Sequence, residues 1–260
     1  MAWREYFIYG INFINLNAGD GTQFVDDIIR IDSDADFEFQ KLVYFATSGN
    51  IRIKILDDSV GRYLFKSSAN LRDIGGNFVG TPFIWPRPYQ VLAGATLTIS
   101  VADASGSSNS LRLYLHGAKI RPGEPPWGVY DPTTHKIVWK KYKAVLPFTY
   151  NTDVKTIAAG GTTFARIEVD NDAHFMVQKI TGYASQDILL EFKDIARGAD
   201  WQNIAMHHNA ILGNGQYPNV LYADRFIHRG SVVSINAQNL SGSSATFEVN
   251  LIGVKLYGSD

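Results

Sequence analysis

Apolar and polar residues alternate with a period of two along several short stretches of the chain. They include Ile51-Arg52-Ile53-Lys54-Ile55, Thr96-Leu97-Thr98-Ile99-Ser100-Val101, Leu111-Arg112-Leu113-Tyr114-Leu115 and Thr246-Phe247-Glu248-Val249-Asn250-Leu251. Successive side chains of a strand point to opposite faces, so this period predicts strands with one buried and one open face. Turn-forming clusters separate them, Ala102 to Ser108 and Gln238 to Ser244 being the clearest. The final runs, 96–101 with 110–117 and 231–237 with 245–252, predict hairpins that each close a sheet. No stretch carries the apolar spacing of an amphipathic helix. The predicted class is all-β, antiparallel and jelly-roll-like.

The pattern also occurs twice. Asp34-Ala35-Asp36-Phe37-Glu38-Phe39-Gln40-Lys41-Leu42 matches Asp172-Ala173-His174-Phe175-Met176-Val177-Gln178-Lys179-Ile180, 138 residues downstream. Ser105-Gly106-Ser107-Ser108 matches Ser241-Gly242-Ser243-Ser244, and the strand from Leu111 to Ile120 matches that from Phe247 to Leu256, both 136 residues downstream. Phe7 and Tyr9 fall on Phe148 and Tyr150, and Pro82 falls on Pro218. A period this long is that of a duplicated domain, far beyond the roughly 20–50 residues of a solenoid unit. Two tandem homologous β-sandwiches are therefore expected: 1–120 with a short N-terminal arm, a linker over 121–147, and 148–260.

Composition narrows the functional classes. Lys and Arg total 24 against 25 Asp and Glu, a net charge of -1, so no overall polyelectrolyte partner such as duplex DNA is expected. Charged residues are 19%, below the roughly 25% of ordinary soluble domains, which suits extensive subunit contacts. Cysteine is absent, which removes disulfides, thiolate metal sites and thiol nucleophiles. No signal peptide is read at the start, and no apolar run is long enough to span a bilayer, so no membrane partner is expected. There is no nucleophile elbow, phosphate-binding loop or zinc-protease motif, so no enzyme activity and no cofactor are expected.

Four features carry the remaining chemistry. Asp32, Asp34 and Asp36 are spaced like ligands of a hard cation such as Ca²⁺. An EF-hand loop fails, since Phe37 stands where Gly is needed and Val43 where Glu is needed. Hydrogen bonds from turn amides to these carboxylates are the alternative. His207-His208 is the one histidine pair; on a strand the two would point to opposite faces, and no third ligand stands at ligand spacing. The loop Pro82 to Tyr89 offers Trp85, Arg87 and Tyr89 as interface anchors, as caps on the sandwich, or as a sugar-stacking platform together with Trp201. Between the repeats, Trp127, Trp139, Lys140, Lys141, Tyr142 and Lys143 mark a basic, aromatic stretch. It reads as a lysine-protected edge strand or as an arm onto an acidic neighbour.

The opening strand Ile31 to Phe37, the Gly61-Arg62 turn, the Pro82 to Tyr89 loop and the strand Leu115 to Lys119 together resemble virion structural proteins of tailed bacteriophages. The resemblance spans both repeats. It implies a non-enzymatic, oligomeric component of the virion, made in the host cytoplasm. The capsid surface, as a decoration or minor capsid protein beside the major capsid protein, is the expected place. A tail, collar or baseplate component is one alternative, and a carbohydrate-binding adhesin module is another. Three copies would present six similar modules, so a homo-trimer is expected.

Overall fold

The structure is a computed structural model that describes residues 2–47, 50–79, 82–126, 128–131, 133–134, 136–139 and 142–259. The first half of the chain is built from β1 (Ala2–Leu16), β2 (Val25–Arg30), β3 (Asp36–Ala46), β4 (Ile51–Asp57), β5 (Arg62–Tyr63) and β6 (Ala69–Asn70). A single helical turn, α1 (Leu71–Ile74), precedes β7 (Phe83–Val91), β8 (Thr96–Asp103) and β9 (Asn109–Pro122). A two-stranded ribbon follows, β10 (Gly128–Asp131) with β11 (Lys136–Trp139). The second half comprises β12 (Tyr142–Asn151), β13 (Lys155–Ile157), β14 (Thr162–Glu168), β15 (Ala173–Ala184), β16 (Ile188–Asp194), β17 (Ala199–Asp200) and β18 (Met206–His207). It ends with a helical turn α2 (His208–Ile211), β19 (Asn219–Ile227), β20 (Val232–Asn239) and β21 (Ala245–Ser259).

The class is all-β and antiparallel, as the alternation predicts. One sheet runs β1-β9-β3-β7 and faces another running β2-β8-β4 with β5 and β6 at its edge. Later in the chain, β12-β21-β15-β19 faces β14-β20-β16 with β17 and β18. Successive long strands alternate between facing sheets, which is the winding of a jelly roll. The expected hairpins are therefore corrected. β8 pairs with β2 and β4, whereas β9 pairs with β1 and β3; likewise β20 and β21 lie in opposite sheets. A glycine-serine turn can fold a chain back within one sheet or arch it across to the facing sheet. Both leave the same alternation in the sequence.

Two further expectations change. Ala2 to Tyr6 is no loose arm, for β1 pairs with β9 from Ala2 opposite Pro122 onwards. Ile31 to Ala35 is a turn that leads into β3, not a strand. Ile51, Ile53 and Ile55 are fully buried while Arg52, Lys54 and Leu56 are half-open, the outcome expected of a half-buried strand.

The cores explain how the halves meet. Phe37, Phe39, Leu42, Ile53, Leu97 and Leu113 belong to the core of the first pair of sheets. The second core holds Phe175, Val177, Phe192, Trp201, Ile235 and Phe247, and it extends into the first half through Tyr6, Ile8, Val43 and Tyr114. The outer face of the β1-β9-β3 sheet is thus covered by the second half of the chain. Burying a side chain such as Ile8 contributes roughly 1.5–3 kcal/mol each.

Candidate functional site

The aspartates flagged for a cation do hold one, but it is an ammonium of the chain itself. Lys119 Nζ lies 2.6 Å from Asp32 Oδ2 and 3.1 Å from Asp34 Oδ1. It also sits 4.4 Å above the ring of Phe7. Tyr9 completes the clasp, its hydroxyl accepting from the Asp32 N–H at 2.9 Å. Asp36 is directed elsewhere, accepting from the Ala93 N–H and from the Gln90 side chain. Lys255 is held in the same way, 2.7 Å from Asp170 Oδ2, 3.2 Å from Asp172 Oδ1 and 4.4 Å above Phe148. The Tyr150 hydroxyl accepts from the Asp170 N–H. A buried lysine is tolerable only when paired, and each clasp supplies two carboxylates and an aromatic face. The reading of turn amides as the main donors is corrected: lysine at the end of β9 and of β21 is the donor both aspartates share.

At the first clasp the cluster grows into the junction between the halves. Arg121 Nη1 reaches Asp34 Oδ2 at 2.6 Å, and its Nε reaches Glu5 Oε2 at 2.9 Å. Glu5 Oε1 lies 2.7 Å from Arg197 Nη1 and 3.3 Å from Arg225 Nη1, both from the second half. Arg225 is almost wholly buried, lies over the Trp201 ring, and donates to the Tyr6 carbonyl at 3.0 Å. Burial pushes the Glu5 pKa up, but Arg225, Arg197 and Arg121 outweigh it and hold the carboxylate below its ordinary value. Burial pulls Arg225 down to about 10, against the opposing pull of Glu5. Beside this cluster a cleft of about 480 Å³ opens between the halves, lined by Asp32, Lys119, Arg121, Arg197 and Asp200.

The backbone is joined there too. The Ile8 N–H donates to the Trp201 carbonyl at 3.1 Å, and the Asn203 N–H donates to the Ile8 carbonyl at 3.3 Å. The Asn203 side chain accepts from the Gly10 N–H at 2.6 Å and donates to its carbonyl at 3.1 Å. Residues 201–203 thus run parallel to the outer edge of β1, Gln202 being the partner of Ile8. Sequence reasoning missed Glu5, Arg197, Arg225 and Asn203. The signal was a difference between the repeats: Tyr6-Phe7-Ile8-Tyr9 is a continuous apolar run, as in a strand buried on both faces, where Pro147-Phe148-Thr149-Tyr150 is mixed.

His207 closes β18 and His208 opens α2, so the pair does not share one strand. Asp187 stands beside them, against the sequence reading that no third group would, and ligand atoms of the three lie within 4.8 Å of one another. Their hydrogen bonds are structural. His207 Nδ1 accepts from the Asn209 N–H and His208 Nδ1 from the Ile188 N–H. That leaves the proton of each neutral ring on Nε2, and the His207 Nε2 faces Asp187 at 3.3 Å. The Nδ1 lone pair of each ring is therefore taken by a backbone N–H and its Nε2 carries the proton, so in this arrangement the rings act as hydrogen-bonding groups of the fold. His207 also stacks on Phe45 at 3.8 Å, and its N–H donates to the Tyr114 hydroxyl, which ties α2 to the first half.

Trp85 and Tyr89 lie on β7, where both rings pack against Phe39 and the Tyr89 hydroxyl donates to Asp57 at 3.0 Å. Arg87 between them is exposed. Trp201 is corrected from a loop candidate to a core residue, fully buried and stacked on Phe192. Tyr142 and Lys143 start β12, the free edge of the second half's sheet. Trp127, Lys140 and Lys141 lie outside the described residues, and so does the side chain of Trp139.

No family model matches the chain, and no curated protein matches it. Solved structures resemble it weakly. The major capsid protein P2 from bacteriophage PM2 is 15% identical, with 97% of this chain and 98% of that one covered, at a TM-score of 0.24. The PBSX exported protein XepA is 13% identical over 88% and 86%, at 0.22. A223, a turret protein in Sulfolobus turreted icosahedral virus, is 12% identical over 95% and 98%, at 0.22. Likenesses this weak establish no shared role.

Proposed function

We propose that the chain is a non-enzymatic structural component of a virus particle, built from two copies of one jelly roll over 1–120 and 148–260 with 121–147 between them. The observation that carries this reading is the junction itself. One jelly roll is joined to the next side by side, through a sheet edge, a covered sheet face and a buried ion cluster, and among the described residues the sheet edges at both ends of the pair stay open. The titratable clusters bind to one another and brace the fold. A capsid-associated role as a decoration or minor capsid protein, assembled as a homo-trimer on the major capsid protein, follows from the sequence resemblance and the pairwise build. Trp85, Arg87 and Tyr89 on one open edge, with Tyr142 and Lys143 on the other, are its contact residues. A tail or collar position uses the same contacts in a larger ring.

Light scattering of the purified chain tests the reading. A stable oligomer is expected, a trimer for the capsid surface and a hexamer or dodecamer for a tail or collar. A protein that stays monomeric at high concentration overturns it.

A further inference from the structure

The two halves can be superposed residue by residue through their pairings. Phe7 lies opposite Gly117 and Phe148 opposite Gly253, which places Ile8 on Thr149 and Glu5 on Leu146. Asp57 pairs with Arg62 and Asp194 with Ala199. The Leu64 N–H donates to the Ile55 carbonyl as the Trp201 N–H donates to that of Phe192. Trp201 and Asn203 therefore fall on Leu64 and Lys66, and Arg197 falls on Val60. Phe37 opposite Val91 and Phe175 opposite Ile227 place Arg225 on Tyr89.

The edge strand, the 201–203 segment and the ion-cluster residues of the internal junction thus each have a counterpart. The β12 edge around Thr149 corresponds to the β1 edge, and the surface of 60–66 with β7 corresponds to what receives it. Both are open. Val145 and Leu146 are 50% and 51% exposed on one side, and Val60 and Tyr63 are 59% and 53% exposed on the other. Among the described residues, no backbone group meets the outer edge of β12 at Thr149.

We infer that the β12 edge of one copy docks on residues 60–66 and β7 of a second copy, in the register that β1 uses within the chain. The Thr149 N–H then meets the Leu64 carbonyl and the Lys66 N–H meets the Thr149 carbonyl. The charge pattern singles out a second copy as the occupant. Inside the chain, Glu5 faces Arg197 and Arg225; at the counterpart positions Leu146 faces Val60 and Tyr89. The charge is gone from both sides together. Losing it from one side alone would leave a buried charge without a partner. The contact is head-to-tail, so it repeats from copy to copy and closes as a ring where the rotation between copies permits it.

This contact rests on the oligomeric reading above, and two readouts separate them. The chain has no cysteine, so Thr149→Cys and Phe65→Cys can be made singly without side reactions. Oxidation of the two variants mixed is expected to give a disulfide-linked pair, and neither variant alone is expected to cross-link. Thr149→Cys cross-linking to itself overturns the inference in favour of an edge-to-edge contact. Light scattering that finds an oligomer, with no disulfide in the mixture, overturns this contact and leaves the particle reading standing; a monomer overturns both. Should Phe65→Cys fail to fold, Val60→Glu and Leu146→Arg replace it. Each alone should weaken association about tenfold or more, as an unpaired interface charge does. The two combined in one chain pair Glu with Arg at every junction and should recover it, and absence of recovery overturns the register.

Discussion

β1 and β12 start from the same architectural position and end in opposite environments. Both are edge strands that pair with the last strand of their half, and both present an aromatic to a clasped lysine. From Glu5 to Ile11 every residue of β1 is buried, whereas from Val145 to Thr149 every residue of β12 is exposed. The difference lies wholly in what covers the outer edge and face. A buried edge can host charge only if each charge is met, which is why β1 carries the Glu5 cluster. From Ala144 to Tyr150 the open edge carries none of the charges that usually discourage edge pairing, and so is suited to a partner.

The strongest way to break this contrast is Glu5→Ala. It leaves Arg225 buried without its carboxylate and should cost about 3–5 kcal/mol in denaturant unfolding. Leu146→Ala in the dissociated chain should stay within about 0.5 kcal/mol. Equal effects would mean that the cluster does not hold the halves together.

Acid is the second test. Burial holds His207 at about 4 and His116 at about 3, and it also lowers His208. Each folded pKa lies below its unfolded value near 6.5, so the stabilisation from the neutral rings is complete above that value. It is lost as pH falls from about 6.5 towards 4, at about 1.4 kcal/mol per pH unit for each ring. The counterpart positions hold Asn70, Ile252 and Leu71, which do not titrate. Thermal melts should therefore drop across this window, and His207→Gln should flatten the drop; an unchanged slope would place the acid sensitivity elsewhere.

Smaller effects sharpen the picture. Asn203→Ala removes both side-chain bonds to Gly10 and should cost about 1–3 kcal/mol, while Lys66→Ala at the counterpart should be near neutral in the monomer. Lys255→Met should cost only about 1 kcal/mol, because Asp170 and Asp172 are half exposed and water takes over part of the pairing. Chemical denaturation of these three variants side by side ranks them.

The strands and their class were legible because alternation records which face is buried. The partnering of strands was not, since a hairpin and an arch between sheets bury the same residues. The aspartate pairs were visible as a recurring pattern, but the lysine that explains them lies 85 residues away from Asp34 along the chain, at the far end of another strand. Glu5, Arg197 and Arg225 were invisible one at a time. They become conspicuous only when set against Leu146, Val60 and Tyr89, because covering an edge is a property of the assembled pair.

The register shift in β3 between Phe39 and Lys41, repeated in β15 between Val177 and Lys179, has a consequence of its own. Phe37 and Phe39 point into the first core, and after the shift Leu42 and Tyr44 do. The extra residue reverses the strand's phase, so one continuous strand turns Lys41 and Val43 towards the other half. Gly117 and Gly253 fit against the shifted backbone, where a β-carbon would come within 1.9 Å of the Glu38 or Met176 carbonyl oxygen. Were Gln40 to pair regularly opposite His116 instead, inside and outside would be transposed for the rest of β3 and Lys41 would be driven into the core. The shift therefore works as a switch of parity, fixing which residues the first jelly roll keeps for itself and which it lends to its neighbour.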